Sequence, residues 1–166
     1  FCIQPDLGLI DPQSGPSQFG RNRDAWGNWF GVQNSFPLWH YVLEDPFIRR
    51  NPHFSPPDPR HQVVTPANPP VYPAAVHEKR FHSFEQSGRF TSACSGMIYQ
   101  DDLLFGPALE NATNVTIEHA FTCEPFSNLV QHNVIVSDGV SFRFERDPQE
   151  TAMDFFASED RWCRPV

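Results

Sequence analysis

Lysine is nearly missing: the 166 residues hold one, Lys79, and the rest of the 12 basic residues are arginine. Against 20 acidic residues this leaves a net charge of −8. Nucleic-acid affinity rests on clustered Lys and Arg, so no nucleic-acid partner is expected. No apolar run approaches the ~18 residues that cross a bilayer, so no transmembrane segment is read here. A basic leader followed by an apolar stretch is missing as well. The four cysteines, Cys2, Cys94, Cys123 and Cys163, fall in no CxxC or CxxCH arrangement. A zinc ribbon, a thioredoxin-type site and a covalently attached haem are therefore not encoded. Asp101-Asp102 lacks the Asp/Asn repeat of a loop-type calcium site, and no metal site is expected.

What the chain does have is proline and aromatic residues. Seventeen Pro and sixteen Phe, with only 19% charged residues, favour short strands and long loops over a helical bundle. The fold class read from this is all-β. Pro5-Asp6-Leu7-Gly8 is turn chemistry between two short strands. A strand, a polar corner and a second strand follow from Ser17 to Phe30, and Leu38 to Leu43 is a third. Residues 46–73 hold more than half of the prolines. Proline lacks the ladder N–H, so no internal strand fits there, and an extended surface loop is expected. A second cycle begins at Phe90. Thr91 to Tyr99 is a strand of small residues, His119 to Pro125 the next, and Leu129 to Val136 a third. Asp138-Gly139 then turns the chain into Ser141–Glu145, a hairpin signal. Gln149 to Phe156 suits one short helical turn. Asn111-Ala112-Thr113 and Asn114-Val115-Thr116 are formal glycosylation sequons.

Both ends read as cut rather than finished. The expectation is an internal fragment: 1–45 the end of one four-stranded unit and the start of the next, 46–80 a Pro-rich loop, 81–147 a nearly complete unit, and 148–166 a connector into another. Such a fragment would be inactive and marginally stable alone, with terminal strands lacking their neighbours. A closed sandwich of seven or eight strands is the competing architecture. Cys94 and Cys123 lie on successive strands, and adjacent antiparallel strands bring Cα atoms to ~4.5–5.5 Å, within disulfide range. A Cys94–Cys123 bridge is one expectation, and buried free thiols are the other.

Several segments carry a resemblance: Gly15-Pro16-Ser17-Gln18-Phe19-Gly20-Arg21-Asn22-Arg23-Asp24, Trp26-Gly27-Asn28-Trp29-Phe30, Pro37-Leu38-Trp39-His40-Tyr41-Val42-Leu43, Arg89-Phe90-Thr91-Ser92-Ala93-Cys94-Ser95, Cys123-Glu124-Pro125-Phe126-Ser127-Asn128 and Trp162-Cys163-Arg164-Pro165-Val166. Together they resemble the membrane-bound dehydrogenases of the planctomycete–verrucomicrobial type. The resemblance implies about two blades of a six-bladed β-propeller related to soluble quinoprotein sugar dehydrogenases. It implies oxidation of a sugar or alcohol through pyrroloquinoline quinone, with electrons passing to a c-type cytochrome whose haem sits in a separate downstream domain. It also implies a periplasmic or extracellular setting. A propeller module that binds carbohydrate or protein without chemistry is the alternative.

The resemblance places Arg21 and Asn22 beside the cofactor, since Gly20-Arg21-Asn22 is the nearest match to a Gly-x-Arg-Asn-Pro motif, although Arg23 stands where proline would. Arginine suits a carboxylate and asparagine a carbonyl. Arg164, in the matched closing segment, is grouped with them. The ordinary alternative is a loop-edge ion pair among Arg21, Arg23 and Asp24. His40, inside Trp39-His40-Tyr41, is the candidate base, because alcohol oxidation needs an acceptor for the hydroxyl proton and histidine suits neutral pH. A structural histidine is the alternative. Glu124 and Asn128 flank Pro125 at a strand end and are the candidate substrate-binding pair, or else a satisfied corner.

Overall fold

The computed structural model describes residues 1–12, 17–75, 88–106 and 118–166. The sequons at Asn111 and Asn114 lie outside the described residues. The chain is all-β, with its strands in three antiparallel sheets and no closed barrel among the described residues. A small hairpin comes first, β1 (Cys2–Gln4) and β2 (Leu9–Asp11), joined through a 3-10 turn at Pro5–Leu7. The second sheet runs β3 (Arg21–Arg23), β4 (Trp29–Gln33), β5 (Phe36–Tyr41) and β6 (Arg60–Gln62), each beside its sequence neighbour. The third repeats that order with β7 (Cys94–Tyr99), β8 (Glu118–Glu124), β9 (Leu129–Asp138) and β10 (Ser141–Glu145). A two-residue strand, β11 (Phe156–Ala157), also pairs with β9.

Strand alternation decides which side chains meet. Phe30, Val32, Leu38 and His40 turn toward the third sheet, which answers with Ile98, Ala120, Ile135 and Phe144. A second cluster, Val32, Val71, Phe90, Ala93 and Leu129, continues the core. The small residues before and within β7 are what close approach requires. A Cβ on Gly96 would strike Leu38 Cδ1 of the facing sheet. The opposite face of β4 and β5 is covered too, by arginines laid on rings. Arg21 lies 3.9 Å from the Tyr41 centroid, Arg60 5.0 Å from Trp39 and Arg23 5.5 Å from Trp29. Such pairs contribute ~0.5–1 kcal/mol each at exposed sites. They explain why β5 is buried at five successive positions, Pro37–Tyr41.

The proline-rich stretch is more structured than a surface loop. It opens with a helical turn, α1 (Asp45–Ile48), and its proline-free Arg60-His61-Gln62 adds an edge strand to β5. An edge position tolerates neighbouring prolines because one side of the ladder needs no partner. Val63 and Val64 then cross to the third sheet, where Phe144 N–H donates to Val63 O at 2.8 Å. Further on, Tyr72 N–H donates to Asp154 at 2.6 Å. Asp154 is also paired with Arg146 at 2.9 Å and takes a bond from Gln131 at 3.1 Å. The stretch is thus a strap that ties both sheets together and supplies Val63, Val64 and Val71 to the core.

Candidate functional site

β3 and β7 are the first strands of the two four-stranded meanders, and they lie side by side. Between them opens a groove of about 580 Å³. Arg21 and Asn22 come from β3, Met97 and Tyr99 from β7, and Phe121 and Phe155 from behind. Register slips between Cys94 and Met97, with Ser95 at φ 48, and this bulge re-aims the β7 wall. Apolar walls with a few polar groups are the usual make-up of a small-molecule site. A second groove of about 780 Å³ lies on the other face of β3, between the N-terminal hairpin and α1, with Arg21, Arg23, Trp29, Tyr41 and Glu44 on its walls.

Of the residues singled out from sequence, Arg21 and Asn22 stand together on the first groove. Asp24 accepts from Trp26 N–H at 3.0 Å and from Asn28 N–H and Nδ2 at 2.7 Å each, fixing the β3–β4 turn. Arg164 points elsewhere, with Nη1 donating to Pro125 O at 2.7 Å.

His40 does not face either groove. It is buried between the sheets, its Nδ1 3.0 Å from Ser141 Oγ and its ring against Phe30 and Phe142. Burial pushes its pKa down to about 4, with nearby Asp24 opposing. A neutral imidazole bonded to a hydroxyl inside a core is the setting of the structural alternative. Glu124 is likewise fully buried. It accepts from the amides of Thr91 and Ser92 at 2.9 Å each and from Thr91 Oγ1 at 3.3 Å, with its pKa raised by burial. Asn128 is buried at φ 55, a left-handed position Asn tolerates, and closes the β8–β9 turn. Glu124 and Asn128 both lie buried at this corner. Cys94 and Cys123 sit directly opposite one another as expected, but as free thiols. Among the described residues no cluster of three or more metal-ligating groups occurs. Asp101 accepts from Leu103 N–H, as a turn residue does.

Sequence reasoning missed a polar chain on the groove side of the third sheet. Glu150 Oε1 lies 3.2 Å from His132 Nδ1, and His132 Nε2 lies 2.9 Å from His119 Nδ1. Phe105 stacks on both rings, 3.8 Å from His119 and 4.6 Å from His132 between centroids. Burial pushes both imidazoles down to about 4. The two histidines were findable: a tight turn at 125–128 pairs Phe121 with His132, which sets His119 diagonally across from it. Glu150 carries no such signal, because it arrives from a 3-10 turn at Pro148–Glu150.

The sequence profile described as "Domain of unknown function (DUF7133)" matches residues 1–166. No curated protein and no solved structure matches the chain.

Proposed function

The chain belongs to the DUF7133 family, and from its geometry we propose that it forms neighbouring blades of a β-propeller in an extracytoplasmic sugar or alcohol dehydrogenase. One observation carries the reading. The first strands of two successive antiparallel meanders, β3 and β7, share a groove whose polar wall is Arg21 and Asn22. Strand order by sequence in each sheet is the order of a propeller blade, and the crowded, small-residue β7 suits an inner strand.

A pyrroloquinoline-type quinone is flat and carries several carboxylates. The groove offers flat walls in Tyr99, Phe121 and Phe155, and its cationic and amide donors are Arg21 and Asn22. That fits one edge of such a group, with further cations to come from other blades. To hold a carboxylate through its planar fork Arg21 would turn from its stack on Tyr41, and Asn22 would take a carbonyl. When bound, a quinone supplies an acceptor for the two electrons of alcohol oxidation, which a c-type cytochrome domain would carry onward. The residues of this chain bind and orient, and the rings exclude water.

A second reading, a propeller module that binds carbohydrate without chemistry, draws support from the burial of His40 and Glu124. The test is cofactor titration of the whole protein, followed by visible absorbance and dye reduction with a panel of aldoses and alcohols. A spectral change and reduction, both weakened by Arg21→Ala and Asn22→Ala, are expected. Sugar binding with no spectral change and no reduction would leave the second reading in place of the first.

A further inference from the structure

With Glu150 ionised, the Glu150–His132–His119 chain sets the proton positions on both imidazoles. Glu150 is held by burial above the usual carboxylate range, with Arg146 opposing. In its ionised form it can only accept, so His132 Nδ1 must carry the proton it donates. His132 Nε2 is then a lone pair, and His119 Nδ1 must be the donor to it at 2.9 Å. What remains is His119 Nε2, unprotonated. It has no hydrogen-bond partner among the described residues, on a side chain that is only partly buried. Behind it His132 is fully buried. Phe105, stacked on both rings, locks their planes. The charged groups facing the chain are Arg146, Asp147 and Asp154, all from the segment after β10. His119 shares its strand face with Phe121 and lies opposite Tyr99, two rings of the groove wall.

We infer that His119 Nε2 is a proton acceptor at the lip of the β3–β7 groove, with His132 and Glu150 as its positioning residues. This deepens the dehydrogenase reading and rests on it for the donor, the hydroxyl of a sugar or alcohol. The step is a proton transfer alone: the substrate O–H bond breaks, an N–H bond forms at Nε2, and the resulting imidazolium, which burial disfavours, keeps its Nδ1–H bond to His132, which Glu150 orients. A carboxylate behind an imidazole is a recurrent way to orient the ring and favour its charged form as the proton arrives.

Two measurements on the whole protein decide it. Nitrogen-15 histidine spectra at neutral pH are expected to show His119 protonated at Nδ1 and bare at Nε2. Glu150→Gln should convert part of the population to the opposite tautomer. Finding His119 protonated at Nε2 in the wild type overturns the assignment. In the dye assay, His119→Gln should lower kcat by about 10²-fold or more with a much smaller change in KM. His132→Gln and Glu150→Gln should lower kcat less and move the acidic limb of the pH profile. Dye reduction by His119→Gln equal to wild type overturns the assignment while leaving the dehydrogenase reading intact. If the wild type reduces no dye, the dehydrogenase reading falls and takes the hydroxyl donor with it, and the proton-acceptor assignment is overturned even where the tautomer spectrum shows Nε2 bare.

Discussion

Cys94 lies directly opposite Cys123 across β7 and β8, and Cys123 also borders the groove that holds Arg21 and Asn22. Burial pushes the Cys94 thiol up to about 11 and the Cys123 thiol upward too. Thiolate is the reactive form, so exchange in the folded state is slow and a bridge has to form while the chain folds. Refolding in a glutathione redox buffer should therefore yield a protein that gains two titratable thiols on reduction, and Cys94→Ser should abolish the gain. The bridge should add ~2–4 kcal/mol of stability. An unchanged thiol count after reduction means that the pair stays reduced.

His40, His119 and His132 are each pushed down to about 4 from 6.5, with burial the first cause. Between pH 6.5 and 4 the unfolded chain binds protons that the fold refuses, so the histidine contribution to stability falls as pH drops through that window and is flat above it. Glu124 and Glu150, raised by burial, act in the opposite sense as pH falls through their folded values. Replacing His40 separates these contributions. His40→Asn should reduce the slope of unfolding free energy against pH by up to ~1.4 kcal/mol per unit, the weight of one proton. Denaturant unfolding at three pH values checks this, and parallel slopes for the two proteins would refute it.

Glu124 offers a sharp choice between structural and binding roles. Removing its carboxylate strands the buried amides of Thr91 and Ser92. Glu124→Ala should cost on the order of 2–4 kcal/mol. Glu124→Gln keeps an oxygen for both amides, leaves the amide NH₂ facing the Thr91 hydroxyl, and removes a buried charge. It should melt within a few degrees of wild type and bind ligand equally well. A loss of ligand affinity in Glu124→Gln at unchanged Tm would assign this residue a binding role.

Much of this architecture was legible in advance. The period-two pattern and the turn signal at Asp138-Gly139 give the third sheet nearly strand for strand, although the two-residue turn is Gly139-Val140, with Asp138 already paired to Ser141. The opposition of Cys94 and Cys123 follows from the same pairing. The strap from 46 to 73 was not legible, since its strand is three residues long and its burial comes from partners distant in sequence, such as Phe144. The setting of His40 was not legible for a related reason. Alternation gives the face a side chain takes but not what covers that face, and here Phe30 and Phe142 cover it.

Gly31 is the pivot of the aromatic layer on the outer face of β4. A Cβ there would run into the Tyr41 ring and hydroxyl and into Trp39 Nε1. Both rings are held by neighbours, with Arg21 on Tyr41 and Arg60 on Trp39. Gly31→Ala should therefore destabilise by ~1–3 kcal/mol, as overpacking does. Thermal melting measures it, and a neutral result would mean that the rings swing aside freely.

At Gly96 the missing side chain acts as a spacer setting, because the gap it leaves is filled by Leu38 from the facing sheet. The two positions, distant in sequence, share one volume. Relatives that enlarge residue 96 should shrink residue 38, so drift at these sites is paired rather than independent.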